Sequence, residues 1–360
     1  MRIALVHDYL NQYGGAERVL EVLCEIFPDA PIYTLLYDER MTGGVFKDRE
    51  VHTSFLQKLP FVRRHHRIFP FLMPLAVEQF DLSYFDIVLS VSASFAKGII
   101  TKPHTRHINY CLTPTRYLWD DSHRYIDEFR YFWPIRKLAS FFITYLRIWD
   151  KEAALRVDKF VAISNFVRSR INKYYSKEDI PVIYPPIEIG KYYISSEADD
   201  YFLMVGRLVP YKQFDLAVKT FSAMGKKLKI VGDGPERKRL EKQASKNIEF
   251  LGLVSDYKMP EIYARAQAVI FPQEEDFGIV PLESMASGRP VIAYRGGGAL
   301  ETIIENQTGI FFDDQTEIAL AQAVGQYYQT NWDPAAIRTH ALKFDKEVFK
   351  GRVIDMILSK

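Results

Sequence analysis

The amino-acid sequence predicts an α/β protein made of two Rossmann-like domains in succession. Apolar runs of strand length alternate with helical stretches along the chain, a pattern typical of parallel sheets with helices on their faces. The 360 residues are enough for two domains of ordinary size. The alternation breaks near Tyr184-Pro185-Pro186 and resumes after the polar stretch 195–200. One domain is therefore expected on each side of this break.

In the first domain, strands are predicted at 3–7, 32–36, 87–91, 107–111, 159–163 and 182–184. Gly14 and Gly15 follow the first strand and precede a helix predicted over 16–26. Open parallel sheets bind ligands at such carboxyl ends of strands. A further helix is predicted over 134–157, and its apolar stripe is expected to face the core, with membrane contact as the alternative. That stripe comprises Leu138, Phe141, Phe142, Tyr145 and Trp149.

The second domain is predicted to repeat the alternation. Strands are expected at 201–205, 228–231, 248–251, 268–271, 291–293 and 310–312. Helices are expected at 213–223, 235–245, 259–266, 279–286, 299–305, 317–326 and 346–358.

Composition excludes several classes of protein. Apolar residues make up 48% of the chain and charged residues 26%, as in ordinary globular proteins. The net charge of +2 does not favour nucleic acid as a partner. Cys24 and Cys111 lack metal-like spacing and are expected to be reduced core residues. With no apolar run near the ~20 residues of a membrane span and no leader-like amino end, the sequence predicts a cytoplasmic protein.

An acidic turn between a strand and a helix is the strongest candidate site. The apolar run 268–272 leads into Glu275, and Gly278 then opens a helix that stops at Gly288. The N-terminus of a helix carries roughly half a positive charge and unpaired N–H groups, so it can hold an anion. Together with Glu275 and Glu283, it would suit a ligand that has hydroxyls and phosphates. Spacing alone leaves open that both carboxylates are surface or capping residues.

The string E-D-F-G-I-V-P-L-E-S-M-A-S-G around this turn resembles the Glu-x7-Glu signature of retaining GT-B glycosyltransferases of family 4. The resemblance covers nearly the whole chain. It implies two Rossmann-like domains facing across a cleft, with the acceptor on the first domain and the donor on the second. The corresponding bounds are 1–186, a linker at 187–200, 201–344, and a final helix at 345–360 that crosses back to the first domain.

The same resemblance implies roles for individual residues. The segment G-R-L-V-P-Y-K looks like the family's diphosphate-binding segment, so Arg207 and Lys212 would neutralise the leaving diphosphate. Glu275 would bind the transferred sugar as the third catalytic residue, and Glu283 would bind the ribose. The remaining donor-binding positions are the backbone of Phe277, Gly278, Ile279 and Val280, and the turn of Gly14 and Gly15. The loop 231–235 is expected to shape the cleft, and the glycine turn at 295–301 matches the family without an assigned role. No metal and no cofactor other than the donor is expected.

On the acceptor side, the run T-P-T-R-Y-L-W-D resembles the His-Thr-Pro-x-Arg-Tyr-x-Trp-Asp segment of bacterial mannosyltransferase-type members. Leu112 stands where that pattern has histidine, so any proton-transfer role of the histidine is absent or moved. The candidate acceptor residues are Thr113, Arg116, Tyr117 and Asp120. The alternative is a rigid aromatic corner that packs the domain.

A basic and apolar segment follows residue 57. No acidic residue occurs between residues 51 and 77, and the segment contains Lys58, Arg63, Arg64 and Arg67. Such mixtures bind anionic membrane surfaces. The sequence thus predicts peripheral binding at the inner face of the cell membrane, with a loop folded onto its own domain as the alternative.

Together these features predict a retaining, metal-independent hexosyltransferase. The favoured reaction moves mannose from GDP-mannose to a glycan or polyprenyl-linked acceptor in surface polysaccharide synthesis. The alternatives are a UDP-sugar-dependent transferase of the same family, a nucleotide-sugar epimerase of GT-B fold, and a non-catalytic sugar-nucleotide or membrane-binding protein. The oligomeric state is not predicted.

Overall fold

The computed structural model describes residues 1–60, 69–120 and 133–358, with residues 133–140 described by their backbone alone. The chain divides into two compact units. The first unit is Met1–Tyr184 together with the chain from Lys350 onward, and the second is Pro185–Phe349. Each unit contains one six-stranded parallel sheet with helices. The predicted α/β class is therefore confirmed.

In the first unit the sheet order is β3-β2-β1-β4-β5-β6. The strands are β1 (Ile3–His7), β2 (Ile32–Thr34), β3 (Val51–Thr53), β4 (Ile87–Ser92), β5 (Arg106–Cys111) and β6 (Lys159–Ala162). The helices are α1 (Gly15–Ile26), α2 (Met73–Glu78), α3 (Trp133–Leu155) and α4 (Asn165–Tyr175). Every residue of β4 is buried, as expected for a parallel strand covered on both faces. The strand order reverses between β1 and β4, and ligands bind at such a switch point in open α/β sheets.

In the second unit the order is β12-β11-β10-β7-β8-β9. Its strands are β7 (Phe202–Val205), β8 (Leu228–Val231), β9 (Ile248–Gly252), β10 (Val269–Phe271), β11 (Val291–Tyr294) and β12 (Gly309–Phe312). Its helices are α5 (Phe214–Met224), α6 (Arg237–Gln243), α7 (Met259–Arg265), α8 (Ile279–Ala286), α9 (Ala299–Thr302), α10 (Glu317–Gln329) and α11 (Pro334–Ala341). The last helix, α12 (Lys346–Leu358), begins in this unit and continues in the first. Here the switch point lies between β7 and β10.

The prediction of a strand at 182–184 is wrong. Only an isolated bridge joins Val182 to Ala162 at the edge of β6. Prolines at 181, 185 and 186 flank the segment and supply no N–H groups, so a longer ladder cannot form.

The polar stretch that precedes β7 is packed onto the second unit. The guanidinium of the buried Arg289 donates to the carbonyl oxygens of Ser195 and Glu197 at 3.0 and 3.2 Å. Asp199 forms an ion pair with Arg265 of α7 at 2.6 Å. These bonds hold the connection in a defined path along the second unit.

The stripe predicted to be buried on α3 lies largely in solvent. Phe141, Phe142 and Tyr145 are exposed, while the side chain of Leu138 lies outside the described residues. The core of the first unit instead takes Ile143 and Leu146, with Trp149 packed against it. The prediction failed because both faces of this helix are apolar, and a hydrophobic period cannot tell which face the domain covers.

A buried ion pair and its hydrogen bonds connect four segments of the first unit. The ammonium of Lys97 donates to Asp150 of α3 at 2.5 Å, and both side chains are about 1% exposed. Thr115, Trp119 and Tyr175 each donate a hydrogen bond to the same carboxylate at 2.7–2.8 Å. The fold tolerates the deeply buried carboxylate of Asp150 because both of its oxygens accept hydrogen bonds. The network ties the segment after β5 to α3 and α4.

Within the described ranges, no helix is both long enough and apolar enough to cross a lipid bilayer.

A buried histidine is expected to make the first unit acid-sensitive. His107 on β5 is fully buried, with Nε2 2.7 Å from the Ser90 hydroxyl, and desolvation lowers its pKa from 6.5 to about 3. Below pH 6.5 the unfolded chain therefore binds a proton that the folded chain excludes, and stability falls as the pH falls toward 3. The loss is up to about 1.4 kcal/mol per pH unit in this window.

Unfolding of wild type, His107→Gln and His104→Gln, followed between pH 8 and pH 4, tests this expectation. His104 is exposed in the same unit, so its variant serves as the control. We expect a shallower pH dependence for His107→Gln alone, whatever its stability at pH 8. Equal pH slopes in all three proteins would contradict the assignment.

Candidate functional site

The strongest constellation of charged residues lies at the switch point of the second sheet. The segment after β7 carries Lys212 in a 3-10 turn over Pro210–Lys212, and the segment after β10 carries Glu275. The ammonium of Lys212 forms an ion pair with Oε1 of Glu275, and both side chains are largely buried. Gln273 donates to the same oxygen at 3.3 Å, and its own Oε1 is buried without a hydrogen-bond partner. A carboxylate, an ammonium and an unpaired amide oxygen thus meet at the edge where parallel sheets bind ligands.

Arg207 lies in the same β7–α5 connection but remains in solvent. It is exposed and has no ion-pair partner among the described residues. The turn that carries it is braced by the loop after β8: Leu208 N–H donates to Asp233 O at 3.0 Å. A Cβ at Gly232 would lie 1.9 Å from Gly206 O, so only glycine permits this approach. The loop predicted to shape the site therefore supports the Arg207 turn directly.

A glycine turn holds the acidic turn in place. Gly298 N–H donates to Glu275 O at 2.8 Å. Gly297 has a φ of +58°, and a Cβ there would lie 2.2 Å from the same carbonyl oxygen. The sequence marked this glycine turn without assigning its role. The structure shows that it sets the backbone position of Glu275.

The helix after the acidic turn is preceded by a glycine with a positive φ. Gly278 precedes α8 with φ +87°, and an added Cβ would meet the ring of Phe271 at 2.9 Å. The side chain of Phe277 is buried, while Ile279 and Val280 in the first turn are partly exposed. The N–H groups of this first turn are available to an anion.

Glu283, in the middle of α8, is 6% exposed. Its Oε2 accepts a hydrogen bond from the hydroxyl of Tyr263 on α7 at 2.6 Å, and Tyr263 is itself fully buried. Sequence reasoning missed Tyr263, because nothing in its local sequence marks which helix lies opposite Glu283. The tyrosine fixes the orientation of the carboxylate.

In the first unit, Gly14 and Gly15 lie beside the β1–β4 switch point. Gly14 N–H donates to Oε2 of Glu17 at 2.8 Å, and Oε1 of Glu17 lies 3.6 Å from Nε2 of His7. His7 and Glu17 are both buried, and Nδ1 of His7 is buried without a hydrogen-bond partner. Neither residue was predicted as a site residue, although a glutamate three residues after a helix N-cap is a recognisable capping signal.

The predicted acceptor residues are split between two environments. Thr113 accepts a hydrogen bond from Arg170 of α4 at 2.6 Å, and Arg170 also forms an ion pair with Asp120. Tyr174 donates to the second oxygen of Asp120. Thr113 and Asp120 therefore bind the domain itself, which favours the rigid corner for these two positions.

The other residues of this segment lie beside that corner. Leu112 and Arg116 lie in the segment after β5, and both are partly exposed. Tyr117 lies with its hydroxyl 3.0 Å from the Ser94 hydroxyl. All of them lie beyond the carboxyl end of β5.

One of the four predicted membrane-binding residues, Lys58, belongs to the described part of the chain. Lys58 ends a 3-10 turn over Phe55–Lys58 and is exposed. Arg63, Arg64 and Arg67 lie outside the described residues.

Solved structures share the architecture of this chain over nearly its whole length. Anabaena HepE in complex with UDP superposes over 100% of both chains with a TM-score of 0.74 at 17% identity. Sucrose-phosphate synthase from Thermosynechococcus elongatus gives a TM-score of 0.74 over 98% of both chains at 16% identity. At such identities the likeness concerns the fold, which is the GT-B fold.

Two family models match consecutive parts of the chain. The model described as Glycosyltransferase Family 4 matches residues 13–191, and the model described as Glycosyl transferases group 1 matches residues 191–343. The chain therefore belongs to the family-4, group 1 glycosyltransferases.

Curated relatives match over shorter stretches. An uncharacterised glycosyltransferase of Methanocaldococcus jannaschii is 31% identical over 170 residues, which are 46% of this chain and 48% of that protein. A GDP-mannose-dependent alpha-(1-6)-phosphatidylinositol monomannoside mannosyltransferase of Mycobacterium tuberculosis is 34% identical over 34% of this chain and 36% of its own. The O-antigen chain mannosyltransferase RfbU of Salmonella typhimurium is 27% identical over 41% of this chain and 45% of its own. The chain thus spans about half the length of these relatives, or less.

The role of the glycine turn can be tested with a matched pair of variants. Gly297 and Gly225 both have a left-handed conformation, with φ of +58° and +66°, but a Cβ at Gly225 meets nothing within 4 Å. Each alanine is expected to cost about 1–2 kcal/mol of stability for its backbone strain. Only Gly297→Ala should displace Glu275 as well.

We therefore expect Gly297→Ala to weaken the binding of a nucleotide sugar, measured by calorimetric titration with GDP-mannose and UDP-glucose, while Gly225→Ala binds like wild type. Equal affinities in the two folded variants would show that the turn does not position Glu275 for a ligand.

Proposed function

We propose that this protein is a retaining glycosyltransferase that needs no metal ion and moves a hexose from a nucleoside-diphosphate sugar to a glycan or polyprenyl-linked acceptor. The observation that carries the proposal is the Lys212–Glu275 pair at the β7–β10 switch point, with the exposed Arg207 and the N-terminus of α8 beside it. Cations and helix N–H groups suit a diphosphate, and carboxylates suit sugar hydroxyls.

In the proposed reaction the bond between C1 of the sugar and the diphosphate oxygen breaks, and the acceptor oxygen bonds to C1 on the same face. The acceptor hydroxyl gives its proton to the departing phosphate oxygen, so that no separate protein base is needed. Negative charge accumulates on the diphosphate as the bond breaks. Arg207 and Lys212 stabilise that charge, which is often the largest catalytic contribution.

The remaining binding roles follow from the same arrangement. Glu275 would accept hydrogen bonds from hydroxyls of the transferred sugar, and Glu283, oriented by Tyr263, would accept them from the ribose. The turn of Gly14 and Gly15 stays a predicted diphosphate contact. Arg116 and Tyr117 stay predicted acceptor contacts, while Thr113 and Asp120 would shape the acceptor segment through Arg170.

The proposed donor is GDP-mannose. The support is the acceptor-side segment and the relatives named as mannosyltransferases, one of them GDP-mannose-dependent. A UDP-sugar is the second candidate donor, because the HepE structure of the same fold was solved with UDP. Synthesis of a surface polysaccharide is the proposed setting, in line with the O-antigen relative.

The proposed acceptor is a glycan or a lipid-linked saccharide at the inner face of the membrane, where the protein would bind peripherally through its basic segment. Each Lys or Arg near an anionic lipid surface contributes ~1 kcal/mol. The segment after Lys58 holds several such residues and no acidic one up to residue 77.

Removal of the Lys212 ammonium is expected to reduce turnover. Lys212→Ala should lower turnover by about 10²–10³-fold through loss of charge stabilisation, measured as release of nucleoside diphosphate. Lys219→Ala is the control, because Lys219 pairs with Asp215 at the surface of the neighbouring α5. Arg207→Ala and Glu275→Gln should behave like Lys212→Ala. Turnover of Lys212→Ala equal to that of Lys219→Ala would refute the assignment of the site.

One assay, the release of nucleoside diphosphate from a panel of nucleotide sugars with and without EDTA, tests both the donor and the metal requirement. We expect slow GDP release from GDP-mannose, accelerated by membrane lipid extract and unchanged by EDTA. UDP release from a UDP-sugar would keep the site and overturn the mannose assignment. An epimerised sugar without release would favour the epimerase, and loss of activity with EDTA would contradict metal independence.

A further inference from the structure

One face of α3 is apolar and is not covered by the described part of the chain. Phe141, Tyr145 and Ile148 follow one another at helical spacing, with 69%, 54% and 62% of their surfaces exposed, and Leu155 continues the same line. The opposite face packs Ile143 and Leu146 into the core. A surface helix normally has one apolar face, whereas this one has two.

The uncovered face continues onto neighbouring segments. The ring of Phe142 lies 6.0 Å from that of Phe71, and Phe71 is exposed at the turn that leads into α2. Leu75 of α2 is exposed as well. We name this surface, formed by Phe71, Leu75, Phe141, Phe142, Tyr145 and Ile148, the α3 face. A contiguous apolar patch of this kind marks an interaction site.

The charges around the α3 face favour an anionic lipid surface over another protein. Of the two acids of α3, Asp150 is buried and paired with Lys97, whereas Glu152 is exposed on the same line as Tyr145 and Ile148. Lys151 is exposed beside it. The chain that brings Phe71 to the face carries no acidic residue between 51 and 77. In the sequence, Lys58, Arg63, Arg64 and Arg67 precede Phe71, and interfacial helices combine apolar and aromatic side chains with such basic residues.

We infer that the α3 face is the surface by which this protein lies on an anionic membrane, with α3 in the plane of the interface and its exposed aromatic side chains among the lipid headgroups. The inference rests on the membrane association proposed above and adds the surface responsible for it. Tyr145 suits this position, because an aromatic ring with a polar tip prefers the membrane–water interface.

The first test compares two triple variants. Phe141→Ser, Tyr145→Ser and Ile148→Ser together remove the centre of the α3 face. Leu253→Ser, Tyr257→Ser and Ile318→Ser remove three exposed apolar side chains from the second unit and serve as the control. Co-flotation is measured with phosphatidylcholine vesicles with and without phosphatidylglycerol. We expect the first variant to bind the anionic vesicles at least about tenfold more weakly than wild type, a loss of about 1.4 kcal/mol, and the control to bind like wild type.

The outcomes separate this inference from the proposal on which it rests. If wild type does not bind anionic vesicles at low salt, membrane association and the α3 face both fail. If wild type binds and both triple variants bind equally well, the basic segment carries the association and the α3 face is overturned. If the first variant instead turns a wild-type dimer into a monomer during sedimentation, without vesicles, the face is an interface between copies.

A second measurement does not depend on removing apolar surface. The native cysteines are buried, and desolvation raises the pKa of the Cys24 thiol to about 12, so a cysteine introduced at an exposed position can be labelled selectively. An environment-sensitive fluorophore on Ile148→Cys should shift to the blue with anionic vesicles, whereas the same label on Tyr257→Cys should not. Equal responses at both positions would overturn the inference.

Discussion

The ion pair between Lys212 and Glu275 is the interaction on which the candidate site of the second unit depends. Parallel strands place their carboxyl ends at one edge, and the reversal of strand order between β7 and β10 leaves room there for both side chains. The surrounding glycines determine the backbone positions beside this pair. Gly297 and Gly298 fix the carbonyl of Glu275, and Gly232 allows the close approach that supports the Arg207 turn. The two charges pair with each other, and the proposed diphosphate-sugar donor would offer each a further partner.

In the first unit a buried ion pair holds segments of the domain together. Lys97 and Asp150 lie in the core, where a lone charge would be costly, and their hydrogen bonds reach Thr115 and Trp119 of the segment after β5. Arg170 holds the same segment from α4. The segment that resembles an acceptor site is thus a rigid corner whose shape is set by α3 and α4. Residues such as Thr113 and Asp120 would then influence an acceptor by placing their neighbours.

The two faces of α3 connect this corner with the surface of the protein. Its inner face carries Asp150 and the core residues, and its outer face carries Phe141, Tyr145 and Ile148. The surface proposed to lie on a membrane and the contacts of the segment proposed to bind the acceptor therefore belong to the same helix.

The sequence by itself determined the alternation of strands and helices, and with it the α/β class, because period and turn residues are local properties. It also determined the bounds of β1, β8, α8 and α12, and the acidic turn with Glu275 and Glu283, which stand in one short motif. Only the tertiary structure decided which residues meet across the fold. Tyr263 donates a hydrogen bond to Glu283, and Arg170 donates one to Thr113. Glu17 lies against His7. No local pattern encodes the packing that brings these residues together. For the same reason the structure alone decided which apolar face of α3 is buried, since burial depends on what the rest of the chain covers.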